Sequence, residues 1–298
     1  MRPLCYETSR QGTAEQRKKR ERKSMRRVAS THSSYWFVLL LSLLLLFSVA
    51  WNTYLSRQSI SSAAKLGFFA DRLASLPRTI LWAWERPENL NFIDPAHIGV
   101  AFLAGTLYLR DSELSVRPRL QPLRIPPGTT VTAVVRIESN TSKPIEWSQN
   151  QRQKTIEAIA ELSSLPAVRA VQIDFDARQS ERKFYRELLR DVRNKLDTSI
   201  PLSMTALASW CMYDNWVTGL PVEEVVPMLF RMGIDEKNVL RFLDRHGQFR
   251  AKLCQTSIGV SLDEPLAKLP VHTRTYVFNP KPWSESAVQT ILAEHRKR

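Results

Sequence analysis

Eight short apolar runs with the composition of β-strands recur between residues 79 and 279, and helix-like segments separate most of the later ones. The runs cover residues 79–85, 98–104, 131–138, 168–176, 200–208, 225–231, 257–262 and 273–279. Strands that alternate with helices build parallel sheets. Eight such units over about 220 residues fit a (β/α)8 barrel of the TIM type, whose usual size is ~250 residues, better than an open doubly wound sheet.

The helical segments have recognisable starts and stops. Ser148 followed by Gln151 forms a capping-box pattern before one helix, and an apolar i, i+4 stripe runs through residues 184–196. Asp235 and Gly247 bracket a third helix, and residues 288–292 fit a last one.

The connection after the second predicted strand has a different pattern. Residues 106–110 and 113–117 predict a hairpin that turns at Asp111 and Ser112, and the proline-rich residues 118–127 disfavour a helix. We expect this excursion to replace the second barrel helix and to make the barrel irregular there.

The N-terminal part of the chain has the pattern of a membrane-insertion signal. Residues 1–34 contain ten Lys/Arg and three Glu, and the run that follows, residues 36–51, carries no charge and has tryptophan at both ends. Cations before an apolar run keep that side in the cytoplasm. The pattern predicts a basic cytoplasmic tail (1–34), a transmembrane or signal segment (35–51), a linker (52–78) and an extracytoplasmic barrel domain (79–298).

Two features of this region have alternative interpretations. The apolar run is short for a spanning helix, and residues 48–50 (Ser-Val-Ala) fit a cleavage site, so a secreted or periplasmic domain is the alternative to a single-pass membrane protein. Half of the formal net charge of +14 lies in the basic tail. A nucleic-acid-binding arm would explain the tail but not the leucine run, so we expect no nucleic-acid partner.

Cysteine usage leaves the redox state open. Only Cys211 and Cys254 lie beyond the apolar run. Their spacing is equally compatible with a disulfide and with two free buried thiols.

Polar side chains collect at the predicted carboxyl ends of the strands, where barrels of this type bind their ligands. The candidates for catalysis are Asp174, Asp176, Glu85, Asp263 and Glu264. The candidates for substrate binding are Trp84, Arg136, Glu138, Trp210, Arg231 and Asn279.

Asp174 and Asp176 stand out among these residues. Side chains alternate along a strand, so the two aspartates project to one face while the apolar side chains between them pack beneath helices. Close carboxylates raise one another's pKa and indicate an acid–base site or a polar ligand. The alternative is a structural ion pair with Arg136 or Arg231.

Six tryptophans outside the apolar run also lie near predicted strand ends: Trp82, Trp84, Trp147, Trp210, Trp216 and Trp283. Indoles stack on the apolar faces of sugar rings, and carboxylates bind hydroxyls or protonate a glycosidic oxygen. The combination predicts a carbohydrate ligand, whereas packing of loops onto the barrel is the alternative for each single tryptophan.

Other chemistries lack their motifs. None of the five histidines has a metal-binding spacing, and the chain has no P-loop, no dinucleotide-binding glycine motif and no nucleophile elbow. We therefore expect neither a metal ion nor a cofactor.

An ordered set of motifs resembles the bacterial family named domain of unknown function 3142. The motifs are residues 81–88 (LWAWERPE), 117–123 (RPRLQPL), 133–138 (AVVRIE), 171–177 (VQIDFDA), 180–182 (SER), 202–211 (LSMTALASWC), 226–233 (VPMLFRMG) and 263–265 (DEP). The resemblance covers residues 79–284 and implies little about function, because that family has no assigned activity.

A more distant resemblance links residues 171–178 to the D-x-x-D-x-D-x-E signature of family eighteen glycoside hydrolases, which are chitinase-like barrels. Asp174 and Asp176 match the two inner aspartates, but Val171 replaces the first aspartate and Arg178 replaces the acid glutamate. The resemblance implies that a proton donor, if there is one, comes from another position such as Glu85, Glu138, Asp263 or Glu264 — otherwise the barrel binds without cleaving.

The leading hypothesis is therefore a glycoside-hydrolase-like barrel that acts on an envelope carbohydrate, with Asp174 or Asp176 polarising the substrate and a second carboxylate as acid or nucleophile. A non-catalytic module that recognises an envelope polysaccharide is the alternative. A third interpretation makes the acids purely structural partners of Arg136 and Arg231.

Overall fold

A closed barrel of eight parallel strands forms the body of the protein. The structure is a computed structural model, and it describes residues 72–266 and 268–296 together with Phe47, Ser48, Trp51, Asn52 and Tyr54. The chain divides into two units, residues 1–66 and 67–298, and the barrel lies in the second.

The strands are β1 (Thr79–Ala83), β2 (Glu88–Asn89), β3 (Ile98–Arg110), β4 (Glu113–Pro118), β5 (Leu123–Arg124), β6 (Val131–Ser139), β7 (Val168–Asp174), β8 (Leu202–Leu207), β9 (Glu224–Met228), β10 (Ser257–Ser261) and β11 (Arg274–Phe278). The α-helices of the barrel domain are α1 (Gln149–Ser163), α2 (Arg182–Lys195), α3 (Glu236–His246) and α4 (Glu285–Arg296). Short 3-10 helices cover Gln179–Glu181, Ala208–Cys211, Gly233–Asp235 and Lys252–Cys254.

Strand pairing closes the barrel. The order is β1-β11-β10-β9-β8-β7-β6-β3, and β1 also pairs with β3, so that each barrel strand has two parallel neighbours. The eight predicted apolar runs correspond to these eight strands, which confirms the predicted (β/α)8 class.

The hairpin after the second barrel strand is also confirmed, with one change. Residues 106–110 continue β3 instead of forming a separate strand, and β4 pairs antiparallel with this extension from Gly105–Pro118 to Arg110–Glu113. A Cβ at Gly105 would lie 3.3 Å from the carbonyl oxygen of Arg117 and 3.2 Å from Leu162, so glycine permits the close approach of the returning strand.

Helices cover only part of the barrel wall. Helices α1, α2 and α3 connect β6 to β7, β7 to β8 and β9 to β10, and α4 follows β11. In the described residues between β8 and β9, and between β10 and β11, the chain forms turns and 3-10 helix instead of α-helix.

The N-terminal end of the barrel is closed by a buried ionic network. The carboxylate of Glu224, which is fully buried, accepts hydrogen bonds from Arg274 at 2.9 Å and from the Tyr276 hydroxyl at 2.6 Å. Arg274 also donates to the carbonyl oxygens of Leu73 and Pro77, in the segment that leads into β1. These buried side chains occupy the N-terminal end of the barrel interior, opposite the carboxyl termini of the strands.

The predicted N-terminal tail (1–34) lies outside the described residues, and so does most of the predicted membrane segment (35–51). Within the part of the chain that the structure describes, no helix combines the length and the apolar character needed to cross a bilayer.

Candidate functional site

A cavity of about 550 Å³ opens at the carboxyl ends of the barrel strands. Seven of the eleven predicted site residues line it: Trp84, Glu85, Arg136, Glu138, Asp174, Asp176 and Arg231. They come from or directly follow β1, β6, β7 and β9, so the barrel brings together residues that are up to 147 positions apart in the sequence.

Arg136 lies at the centre of the acidic side chains. Its guanidinium donates to Asp174 Oδ2 at 2.8 Å and to Glu138 Oε1 at 2.5 Å, and its Nη2 atom lies 3.6 Å from Asp176 Oδ2. Burial works against the charge on Arg136, but Asp174 and Glu138 outweigh it and raise the pKa of Arg136 above its ordinary value. Arg136 therefore remains a cation and neutralises part of the cluster.

Asp174 is the buried member of the acidic pair. The residue is 4% exposed, and its second carboxylate oxygen accepts a hydrogen bond from the Thr205 hydroxyl at 2.7 Å. With Arg136 on one oxygen and Thr205 on the other, the carboxylate is satisfied and fixed in orientation. This arrangement favours a positioning role over proton transfer.

Asp176 lies just beyond the end of β7, and half of its side chain is exposed. Desolvation by the surrounding atoms and the negative charge of Asp174 raise the pKa of Asp176 above its ordinary value, while Arg136 opposes the shift. A carboxyl group with a raised pKa at the mouth of a cavity is suited to donate a proton.

Aromatic rings form the floor of the cavity. Phe230 and Phe278 stack with ring centroids 5.5 Å apart, and the edge of Trp82 meets Phe230 at 6.1 Å. The indole N–H of Trp82 donates to Gln172 Oε1 at 3.0 Å. A Cβ at Gly259 would lie only 3.0 Å from the Trp82 ring, so the absence of a side chain there makes room for the indole inside the barrel.

Trp84 forms part of the wall, with the Arg136 guanidinium 5.8 Å from the centre of its ring. Glu85, the next residue in the chain, forms an ion pair of 2.6 Å with Arg117, and both residues line the cavity. The site thus combines apolar ring faces with charged groups that bind hydroxyls, which is the surface that a sugar requires.

Two predicted catalytic residues do not reach the cavity. Asp263 and Glu264 lie behind Arg231, at 4.0 and 3.9 Å from its guanidinium, and Glu264 also accepts a hydrogen bond from the Arg231 backbone N–H at 2.7 Å. Arg231 has a left-handed backbone with φ of 51°, which is strained for a residue with a side chain. Glu264 therefore stabilises the loop that presents Arg231.

Two predicted binding residues are also outside the cavity lining. Trp210 is 5% exposed and packs with its ring centroid 4.9 Å from that of Trp216, in the core between the barrel and the helices. Asn279 is 6% exposed and accepts a hydrogen bond from the Lys281 backbone N–H at 3.1 Å. Packing explains Trp210, and turn formation explains Asn279.

Arg178, which stands where the distant resemblance has an acid, turns away from the cavity. Its guanidinium donates to Glu181 at 2.5 Å and to the Ser139 hydroxyl at 3.1 Å, and Glu181 also accepts a hydrogen bond from the Arg178 backbone N–H. Arg178 is not part of the cavity lining. Arg178 is the N-cap residue of the 3-10 helix Gln179–Glu181.

The cavity also includes residues that the sequence did not indicate as site residues, among them Thr106, Tyr108, Arg117, Thr205, Phe230, Asp235 and Phe278. Strand alternation could have indicated two of them. Thr205 follows Ser203 by two positions, and Phe278 follows Tyr276 by two positions, so each shares the inward face of its strand. Among the described residues, no group of three or more His, Cys, Asp and Glu side chains is arranged to hold a metal ion.

No protein-family model and no curated protein matches the chain. Among solved structures, the chain is similar to the spore cortex-lytic enzyme SleL of Bacillus cereus, with 18% sequence identity and a TM-score of 0.43. The match covers 74% of this chain and 59% of that chain, so this chain spans less than two thirds of that enzyme's length. A similarity this distant carries no argument about activity, and the resemblance to domain of unknown function 3142 stays a prediction.

Proposed function

We propose that the barrel binds a carbohydrate chain of the cell envelope in this cavity and hydrolyses it, with Asp176 as the proton donor. The observation that carries the proposal is the half-exposed carboxyl group of Asp176, whose pKa is raised, above an aromatic floor. A general acid needs a proton at the working pH, and the raised pKa of Asp176 shifts that carboxyl group in this direction.

The residues have distinct roles in this reaction. Sugar rings stack on Trp84 and on the floor, and the fixed Asp174–Arg136 pair orients hydroxyl groups. Asp176 transfers its proton to the glycosidic oxygen as the bond to the anomeric carbon breaks, and water supplies the hydroxyl that completes hydrolysis. Glu85 or Glu138, which both line the cavity, is the second carboxylate.

We also propose that the domain works outside the cytoplasmic membrane, held there through residues 35–51 or released by cleavage. The basic tail followed by an uncharged run supports this location. The disulfide between Cys211 and Cys254 supports it independently, because such bonds persist in oxidising compartments.

One observation favours a second candidate, recognition of the same polysaccharide without cleavage. The carboxylates of Glu85, Glu138, Asp174 and Asp176 all lie within ion-pair distance of an arginine. A carboxylate whose oxygen atoms contact a guanidinium is less available as a nucleophile or base. This candidate requires binding but no release of reducing ends.

The test measures binding to an array of envelope glycans and the release of reducing sugar, with the full chain and with Asp176→Asn. Loss of a general acid lowers rates by about 10²- to 10⁴-fold, so the variant should bind but release almost no sugar. Asp263→Asn is the matched control, because Asp263 lies outside the cavity lining. Cleavage that survives in Asp176→Asn would exclude Asp176 as the donor, and binding without cleavage by the wild type would favour recognition.

A further inference from the structure

A second groove of about 400 Å³ adjoins the cavity along helix α3. Ser209, Asp235 and Val239 line both spaces. The remaining lining residues of the groove are Met212, Tyr213, Asn238, Arg241, Phe242 and Arg245. The groove is therefore a continuation of the candidate site along one side of the barrel mouth.

The wall of the groove opposite α3 carries an exposed aromatic ring. Tyr213 is 64% exposed, and its ring meets that of Phe242 in an edge-to-face contact with centroids 5.1 Å apart. Phe242 is buried and supports the tyrosine ring. An exposed ring supported in this way can serve as a stacking platform for a sugar.

Two cations stand along the α3 side of the same groove. Arg241 and Arg245 are one helical turn apart, so their side chains lie on the same face of α3. Arg241 donates to Asn238 Oδ1 at 3.2 Å, and within the described part of the chain neither arginine forms an ion pair with a carboxylate. This contrasts with the cavity itself, where Arg117 and Arg136 are paired with acids.

We infer that this groove is a second subsite, in which Tyr213 stacks on a sugar of the bound chain while Arg241 and Arg245 bind an anionic group of that chain. The inference rests on the proposed function, because it extends the same binding site. It specifies the ligand class as an acidic glycan that is long enough to occupy both the cavity and the groove. The shared chemistry is a carboxylate, as in a uronic acid, or a phosphate substituent.

The charges of Arg241 and Arg245 explain why an anionic group of the ligand should bind in the groove and not in the cavity. Arginine binds carboxylate and phosphate oxygens through paired N–H donors, and such charge-assisted bonds are stronger than neutral ones. In the cavity the arginines already neutralise protein carboxylates, whereas the two arginines of α3 are available for a ligand. The expected gain is about tenfold in affinity for each arginine that contacts an anion.

The experiment measures the affinity of the full chain for glycans of two to eight sugars in three series: uronic-acid-containing, phosphate-bearing and neutral. Wild type should bind the longer members of one acidic series at least ~10-fold more tightly than neutral chains of equal length. Arg241→Gln/Arg245→Gln should abolish this preference and leave the affinity for disaccharides unchanged. Which acidic series is preferred identifies the anionic group.

Arg190→Gln/Lys195→Gln is the matched control, because it removes two positive charges from exposed positions on α2, outside both spaces. It should retain the preference for acidic chains. An unchanged preference in Arg241→Gln/Arg245→Gln, or equal losses in both double variants, would overturn the inference while leaving the proposed function intact. Failure of every glycan to bind the wild type would overturn the proposed function and the inference with it.

Tyr213→Ala gives a separate readout of the stacking contact. It should reduce the affinity for long chains in the acidic and neutral series alike, because stacking does not depend on the charge of the ring. Unchanged affinity for long chains would exclude the tyrosine platform.

Discussion

Arg136 and Asp174 are direct partners in the parallel register of β6 and β7, and the arginine Nη1 atom donates to the aspartate Oδ2 atom at 2.8 Å. The pairing places a cation beside the buried carboxylate at the point where the two strands end. A residue on the adjacent strand thus supplies the counter-charge of Asp174 in the barrel mouth.

Arg136→Gln should destabilise the protein by about 3 kcal/mol at neutral pH, because it leaves the buried carboxylate of Asp174 without a counter-charge. Urea unfolding of the wild type and the variant at neutral pH measures this loss.

The control for this prediction is the exposed pair between Arg117 and Glu85, in which the side chains are 51% and 38% exposed. Arg117→Gln should cost less than about 1 kcal/mol. The double variant Arg136→Gln/Asp174→Asn should recover most of the stability that Arg136→Gln loses. If Arg136→Gln were no more harmful than Arg117→Gln, the buried pair would not hold Asp174 in place.

The raised pKa of Asp176 predicts that its contribution to stability falls as the pH rises. A carboxylate with a lowered pKa would show the opposite dependence. The pKa of Asp176 is raised above the ordinary value of 3.8, so the folded protein retains the proton to a higher pH than the unfolded chain does. The contribution of this group to stability is therefore greatest below pH 3.8 and is lost as the pH rises through the raised pKa.

Asp176→Asn removes this titration. Its melting temperature should match that of the wild type below pH 3.8 and exceed it at about pH 7, and thermal unfolding of both proteins between about pH 3 and pH 7 tests the difference. A variant that is less stable than the wild type at pH 7 would show that ionised Asp176 stabilises the fold, contrary to the direction of its pKa shift. The same titration predicts that hydrolysis declines as the pH rises and Asp176 loses its proton.

Arg178→Glu should not create a new proton donor, even though it restores an acid at the position of the distant sequence motif. The side chain of residue 178 points toward Ser139 and Glu181, outside the cavity lining. The new carboxylate would instead stand beside Glu181 and reduce stability by about 1 kcal/mol. Reducing-sugar release should be unchanged, and a gain in release would show that residue 178 can turn into the cavity.

The stability change in Arg178→Glu has its own pH signature. Burial alone would raise the pKa of Glu181, but hydrogen bonds from Arg178 and Ser139 lower it below its ordinary value. That stabilisation is present above the unfolded pKa and is lost as the pH falls. The destabilisation by Arg178→Glu should therefore be smaller in acid, and Arg178→Gln should show a weaker form of the same effect.

The strands and the position of the acids could be predicted because both depend on local alternation. Val171 and Ile173 pack against helices, while Gln172 and Asp174 face the barrel interior, as the two-residue period requires. The period also gives the correct end of the barrel, since Asp176 lies at the carboxyl side of β7. The ion-pair partner of Asp174 could not be predicted. Arg136 contacts Asp174 because the two residues are opposite each other in the pairing of β6 with β7, and the sequence does not reveal that register.

The differences between the predicted site residues and the cavity lining have local causes. Trp210 belongs to the 3-10 helix Ala208–Cys211, whose geometry turns the indole to the helix side of the barrel, and strand alternation does not apply there. Phe230 and Phe278 were overlooked as cavity residues because an apolar side chain at a strand end has the same appearance in sequence as a core residue. Only the three-dimensional structure shows whether such a side chain lines the cavity or is buried in the hydrophobic core.

The disulfide between Cys211 and Cys254 should stabilise the wall of the site. Cys211 ends the 3-10 helix that carries two cavity residues, Ala208 and Ser209, and the bond closes a loop with a sequence separation of 43. Loss of loop-closure entropy in the unfolded chain corresponds to about 4 kcal/mol for a loop of this length.

Cys211→Ala/Cys254→Ala should therefore lower the free energy of unfolding by about that amount and weaken glycan binding. A reductant should do the same to the wild type but have no effect on the variant, and equal urea midpoints for reduced and oxidised wild type would contradict the prediction.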